Sequence, residues 1–153
     1  MDYPEIARGA TAAVYDMGDG KVLKLFNEGY WPNAALREYN YARIVNEKGI
    51  PSARAYEFVE PEGRVGIVYE KIEGESMLAA LLGGGDIPAL VADFARLHKM
   101  FHAARAPELR SIKEAWRNSA IRGGMDRFLP LIDALPDGNQ ICHGDFHPAN
   151  VIL

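Results

Sequence analysis

The pattern of apolar residues changes character once along this chain, at about Gly74, and that change constrains its fold more than any other feature. Before it, short runs have side chains that alternate between two faces; after it, apolar residues recur at helical spacing. Tyr3–Arg8, Ala12–Asp16 and Lys21–Phe26 read as strands. Gly9-Ala-Thr and the hairpin-type turn Gly18-Asp-Gly20 divide them. Pro32 stands where a helix can begin, because its missing N–H costs nothing there, and Gly49-Ile-Pro51 ends that helix near Lys48. Arg54–Glu60 and Arg64–Lys71 are two further strands around the turn Pro61-Glu-Gly63.

Beyond Gly74, Ser76 caps a short helix that runs through Leu82, and Gly83-Gly-Gly85 breaks it. Asp86 caps a longer helix whose Leu90, Phe94, Leu97 and Phe101 form one apolar stripe. Ser111–Arg122 and Asp126–Leu135 are further helices split by Gly123-Gly124, and Pro136-Asp-Gly138 leads into a short apolar strand, a polar loop and the start of another strand. The layout predicts an α+β fold of two lobes. Residues 1–72 form an antiparallel-sheet lobe with one helix, and residues 73–153 form a helical lobe that stays incomplete.

Bulk properties narrow the function classes. Hydrophobic residues at 48% and charged residues at 25% match a soluble globular protein. A net charge of −4 without a basic run argues against a nucleic-acid partner, and no apolar run reaches membrane-spanning length. The N-terminus lacks a positive segment followed by an apolar one, and the single Cys142 fits a reducing compartment, so a cytoplasmic location is expected. Cys142 itself is expected to be a buried strand residue.

Four groups of residues carry chemistry. Lys24 lies within Val22-Leu-Lys-Leu-Phe26, a strand with two apolar faces, so its ammonium is expected to be partly buried and to need a partner. Glu38 supplies one. It shares a helix face with Ala34, Ala35, Tyr41, Ala42 and Val45, which places a carboxylate on the packing side. Between the first two strands, the small-residue turn at Gly9 would let backbone N–H groups approach phosphate oxygens, with the Thr11 hydroxyl as a further donor.

The fourth group is the loop His143-Gly-Asp-Phe-His-Pro-Ala-Asn150. Asp145 can accept a proton from an attacking hydroxyl, and Asn150 offers a neutral oxygen of the kind Mg²⁺ prefers. Four residues separate the two, as between the base and the metal ligand of a phosphoryl-transfer loop. Gly144 permits the sharp turn, Pro148 stiffens the return, and His143 is expected to hold the loop by hydrogen bonding. A rival reading takes His143, Asp145 and His147 as an H-x-D-x-H metal string of a metallohydrolase, with His98 and His102 as a helical pair nearby.

In this order, the small-residue turn, strand lysine, helix glutamate, connector, helical lobe and His-Gly-Asp-x-x-x-x-Asn loop resemble the aminoglycoside phosphotransferase and choline kinase-like family. The resemblance runs from about Ile6 to Leu153, and the motif Cys142–Asn150 is its most specific part. It implies a protein-kinase-like fold and an ATP- and Mg²⁺-dependent transfer of the γ-phosphoryl group to a hydroxyl of a small-molecule acceptor. By position, Lys24 would hold the α- and β-phosphates and Glu38 would fix Lys24. The Glu70 carbonyl and the Ile72 N–H would meet the adenine, Asp145 would be the base, and Asn150 a Mg²⁺ ligand.

Members of the family continue past this loop to a second, acidic metal ligand, which is not found among these 153 residues. The 153-residue chain is therefore expected to be an incomplete fragment with little or no turnover. It would expose apolar surface that invites self-association or a complementing fragment. A nucleotide-binding pseudokinase or regulatory module is the alternative in the same fold.

Overall fold

The computed structural model describes residues 2–153. Five strands, β1 (Glu5–Arg8), β2 (Ala12–Gly18), β3 (Lys21–Phe26), β4 (Ala55–Val59) and β5 (Gly66–Glu70), form one sheet in the order β1-β2-β3-β5-β4. Every neighbouring pair is antiparallel, and short connections join β1 to β2, β2 to β3 and β4 to β5. The turn between β2 and β3 places Gly18, Asp19 and Gly20 at positive φ, the left-handed region that glycine enters without a Cβ penalty.

Helix α1 (Pro32–Glu47) begins with Pro32 in its first turn. It ends where Gly49 takes φ +71° and the Lys48 N–H donates to the Ile44 carbonyl. Its inner face packs on the sheet. Phe26, Ile67, Ala12, Ala55, Val65 and Ala35 form that core, with Tyr39 and Tyr69 at its edge. Strand alternation sends Leu23, Leu25 and Val68 to the opposite face, where they form a second cluster. Phe26 and Ile67 are fully buried, and each such side chain contributes about 2 kcal/mol by leaving water.

After a connector, α2 (Met77–Leu82), α3 (Ile87–Ala103), α4 (Ile112–Arg122) and α5 (Leu129–Asp133) follow. The side chains of Ser76, Asp86 and Ser111 cap α2, α3 and α4 by accepting from Ala79, Ala89 and Glu114 N–H groups, which would otherwise be unpaired. The helix expected over Asp126–Leu135 is broken in two, a 3₁₀ turn at Asp126–Phe128 running into α5.

A third cluster joins the two parts. Ile44, Val45 and Ile50 from the end of α1 meet Leu97 and Phe101 of α3 and Ile141 and Phe146 of the terminal loop. The α3 stripe therefore serves as expected, facing this junction. Much of the remaining apolar surface of the helical part stays in solvent, including Leu82, Val91, Trp116 and Leu131. Among the described residues, no helix is long and apolar enough to cross a membrane.

The C-terminal end departs from the sequence expectation. Neither the strand at Ile141 nor one after Asn150 forms. Instead Ile152 makes an isolated bridge to Ser76, the Leu153 N–H donates to the Glu75 carbonyl at 2.9 Å, and the Met77 N–H donates to Val151 at 2.8 Å. A strand needs a pairing partner, and here the connector before α2 satisfies these groups in place of a sheet neighbour. Cys142 departs too. It is exposed, because in the irregular segment that replaces the strand only Ile141 turns inward.

Candidate active site

Lys24 occupies the middle of β3, opposite Val14 on one side and Ile67 on the other. Residues directly opposite in a sheet point the same way, so Lys24 faces α1 together with Val22, Phe26, Ile67 and Tyr69. Its Nζ lies 2.6 Å from Oε1 of Glu38 on α1. This is the pair expected from the sequence. The two side chains are 30% and 37% exposed, so the pair is half-buried and one side remains open to a ligand.

A third residue completes it. The Tyr69 hydroxyl donates to the same Glu38 oxygen at 3.2 Å. Burial and the neighbouring Glu38 carboxylate both push the Tyr69 phenol well above its ordinary range, so it stays a neutral donor. The sequence reading missed Tyr69. Its signal was strand alternation in β5, which puts Tyr69 on the face of Ile67 and hence on the side of Lys24.

The turn at Gly9–Thr11 is anchored from β3's exit. Asn27 Nδ2 donates to the Ala10 carbonyl at 2.9 Å, and the Asn27 N–H donates to the Thr11 carbonyl at 2.8 Å. The Gly9 N–H is spent inside the turn on Ala12, so Ala10 and Thr11 are the residues left to present N–H groups. A Cβ built at Gly9 would meet only the Ala12 carbonyl, at an ordinary 3.8 Å.

At the sheet's far end, the Glu70 side chain is already engaged, accepting from the Arg54 N–H at 3.1 Å, so only its main chain could serve a base. Lys71 ties the connector down. Its Nζ lies 3.0 Å from both Asp16 and Glu73, and its N–H donates to Gly20. Ile72 follows, half exposed. Gly74 has φ +142°, and a Cβ there would come within 2.8 Å of Ile152 and collide with the Leu153 carbonyl. Only glycine lets the connector lie against the chain after Asn150.

The terminal loop is built around Phe146. Its ring stacks on Phe94 at 4.3 Å and on His98 at 5.0 Å, and meets Phe101 and His143 edge-on. Gly144 turns the chain at φ +82°. The Asp145 N–H donates to His143 Nδ1 at 3.3 Å, which is the holding role expected of His143. With its ring seated inward, Phe146 leaves its neighbour Asp145 outward, with a side chain 76% exposed. A 3₁₀ turn, Pro148–Asn150, brings Asn150 back to Asp145. Asn150 Nδ2 donates to the Asp145 carbonyl at 3.0 Å and to its Oδ2 at 3.2 Å, and lies 3.1 Å from His147 Nε2.

This arrangement has two chemical consequences. The amide nitrogen of Asn150 is committed, while its Oδ1 accepts no hydrogen bond among the described residues. A neutral carbonyl oxygen beside a solvent-facing carboxylate fits a hard divalent cation such as Mg²⁺. The half-exposed Lys24 ammonium fits phosphate oxygens. The metal string fares differently. Among the described residues, no three His, Cys, Asp or Glu side chains converge as a metal site. His98 and His102 pack against each other at 4.2 Å, and His98 stacks on Phe146.

A cavity of about 580 Å³ runs between α1 and the terminal loop, and Glu38, Tyr41, Phe101, His143, Phe146 and Asn150 are among its lining residues. Glu38, which holds Lys24, therefore opens on the same space as Asn150.

A model of the phosphotransferase enzyme family matches residues 2–153. Among solved structures, the chain is similar to the crystal structure of an aminoglycoside-3'-phosphotransferase of type VIII, with 19% identity and a TM-score of 0.62, over 98% of this chain and 64% of that one. It is also similar to an aminoglycoside phosphotransferase from Alicyclobacillus acidocaldarius subsp. acidocaldarius DSM 446, at 16% identity and a TM-score of 0.46, over 90% of this chain and 42% of that one. No curated protein matches it. The likeness to the type VIII structure is one of fold, and it makes the fold protein-kinase-like, as the sequence resemblance implied. The chain spans less than two thirds of that structure's length.

Proposed function

The chain belongs to the phosphotransferase enzyme family, and we propose that it carries the nucleotide-binding lobe and catalytic loop of an ATP-dependent kinase acting on a hydroxyl group of a small molecule. One observation carries the reading. Glu38, 2.6 Å from the Lys24 ammonium, and Asn150, bonded to Asp145, line one cavity between the two parts of the chain.

The roles are those the family resemblance implies, and the geometry supports them. Glu38 and Tyr69 hold Lys24 at a fixed point on β3, where its ammonium meets phosphate oxygens without first being ordered. The Gly9–Thr11 turn, pinned by Asn27, would lie against the phosphates, and the main chain at Glu70 and Ile72 would receive the adenine. Asp145 takes the proton of the acceptor hydroxyl as that oxygen attacks the phosphoryl group. Asn150, whose Oδ1 is free, would help hold the metal. When bound, Mg²⁺ with ATP would neutralise phosphate charge and supply the transferred group.

Residues 1–153 hold one of the two protein metal ligands that the resemblance implies. A polypeptide of these residues should therefore bind nucleotide while transferring phosphoryl slowly or not at all, as a binding module would. Losing one ligand at such a centre removes about 3 kcal/mol of transition-state stabilisation, roughly a hundredfold in rate. The exposed apolar face of the helical part supports association with a second copy or a complementing segment.

Thermal shift with Mg²⁺–ATP and Mg²⁺–ADP, together with ADP release in the presence of candidate alcohols, tests the reading. Stabilisation by both nucleotides is expected. The absence of any nucleotide effect would refute it.

A further inference from the structure

His147 belongs to none of the roles above, yet it touches both catalytic-loop side chains. Its Nε2 lies 3.1 Å from Asn150 Nδ2 and 3.5 Å from Asp145 Oδ1. We propose that His147 is a positioning residue, fixing the Asn150 side-chain amide so that its nitrogen points into the loop and its Oδ1 points outward. The proposal rests on the phosphotransferase reading, in which Asn150 is a metal ligand.

An asparagine amide can flip, exchanging its oxygen and nitrogen between nearly equal shapes. The acceptors around Asn150 choose between the two, and one of them is the loop's own backbone. The Asp145 carbonyl and Asp145 Oδ2 accept from the amide nitrogen, and His147 Nε2, 3.1 Å from that nitrogen, accepts in one of the two imidazole tautomers. For Nε2 to accept, the imidazole carries its proton on Nδ1.

Removing the ring leaves Asp145 as the sole holder of the amide. Asp145 is itself the residue whose carboxylate must engage the acceptor hydroxyl, so an amide held by Asp145 alone keeps only the backbone carbonyl when that carboxylate is used. His147 supplies a hold that is independent of catalysis. An amide that flips would present N–H donors, which cannot ligate a cation. This is the outer-shell pattern in which a neighbour orients a metal-binding group. The position also explains why the loop spends an exposed histidine between Phe146, which is turned inward, and Pro148, which starts the 3₁₀ turn.

The test uses the full chain and three variants. His147→Ala removes the acceptor. His147→Gln keeps one, since its side-chain oxygen stands as many bonds from Cα as Nε2 does. His147→Asn has an acceptor too short to reach. Mn²⁺ affinity in the presence of ADP is measured by electron paramagnetic resonance. The Asn150 side-chain NH₂ pair is followed by ¹⁵N-resolved NMR without metal.

His147→Ala and His147→Asn should weaken Mn²⁺ binding about tenfold or more and move the Asn150 NH₂ resonances toward those of an unconstrained side-chain amide, while His147→Gln restores both. Unchanged NH₂ resonances and unchanged Mn²⁺ affinity in His147→Ala would overturn the positioning role and leave the phosphotransferase reading intact. If the wild-type chain bound no Mn²⁺–ADP, that reading would fail. The NH₂ resonances would still decide whether His147 orients Asn150.

Discussion

Replacing Glu38 with glutamine probes the centre of the nucleotide lobe. Glu38 Oε1 receives the Lys24 ammonium at 2.6 Å and the Tyr69 hydroxyl at 3.2 Å. The substituted amide keeps an oxygen acceptor of the same reach and loses the charge. With side chains 30% and 37% exposed, water offsets part of that loss, so folding stability should fall by about 1 kcal/mol. For a chain of this size that is about 3 °C in Tm.

Binding should respond more than folding. A lysine no longer held in place must be ordered by the phosphates themselves, and losing one charge-assisted contact weakens ATP by about tenfold, or 1.4 kcal/mol. Adenosine, which has no phosphate, should bind as before. Calorimetric titration of both ligands into wild type, Glu38→Gln and Lys24→Met measures this directly. If Glu38→Gln lowered Tm and left ATP affinity unchanged, the pair would be a brace between sheet and helix with no part in binding. Equal loss for adenosine would point to a general disturbance of the lobe.

Other perturbations address the scaffold. Gly74→Ala forces a side chain into Ile152 and Leu153 from a backbone at φ +142°, and should cost about 2 kcal/mol, or roughly 6 °C in Tm, by thermal denaturation. Asn27→Ala removes the 2.9 Å bond that pins Ala10 and should cost about 1 kcal/mol in urea unfolding while weakening ATP more than adenosine. The Gly18 N–H and then Lys71 hold the Asp16 carboxyl below its ordinary 3.8. A carboxylate depressed in the folded state stabilises it above the unfolded value, and that contribution is lost as pH falls through the folded one. Urea unfolding of Asp16→Asn should therefore show a deficit against wild type at neutral pH that closes as pH falls below the ordinary 3.8.

Where structure is dictated by neighbours in sequence, the sequence was legible. The strand Lys21–Phe26, the helix start at Pro32, its stop at Gly49, and the caps Ser76, Asp86 and Ser111 all depend on chemistry within four residues. The Lys24–Glu38 pair was legible although its members are 14 residues apart, because a charge on each of two apolar faces leaves few other solutions.

Features set by distant partners were less accessible. Whether Val151 begins a strand depends on what lies beside it, and the neighbour is the connector at Glu75–Met77, far away in sequence. Cys142 follows the same logic, because a general tendency to burial yields to an irregular segment that turns one residue inward. Tyr69 was passed over, and His147 was read only as part of a metal string, for another reason. Each acts on a functional side chain through one hydrogen-bond contact, and the motif spacing weighs only the groups that would face a ligand.

The most direct measurement maps where a metal–nucleotide complex sits. Mn²⁺–ADP added to the ¹⁵N-labelled chain broadens resonances of nearby residues only. Broadening confined to the Gly9–Thr11 turn, the neighbourhood of Lys24 and Glu38, and residues 143–150 is the result expected from a nucleotide bridging the sheet and the catalytic loop. Broadening elsewhere on the surface, or none with ADP while Mn²⁺ alone binds, would contradict it.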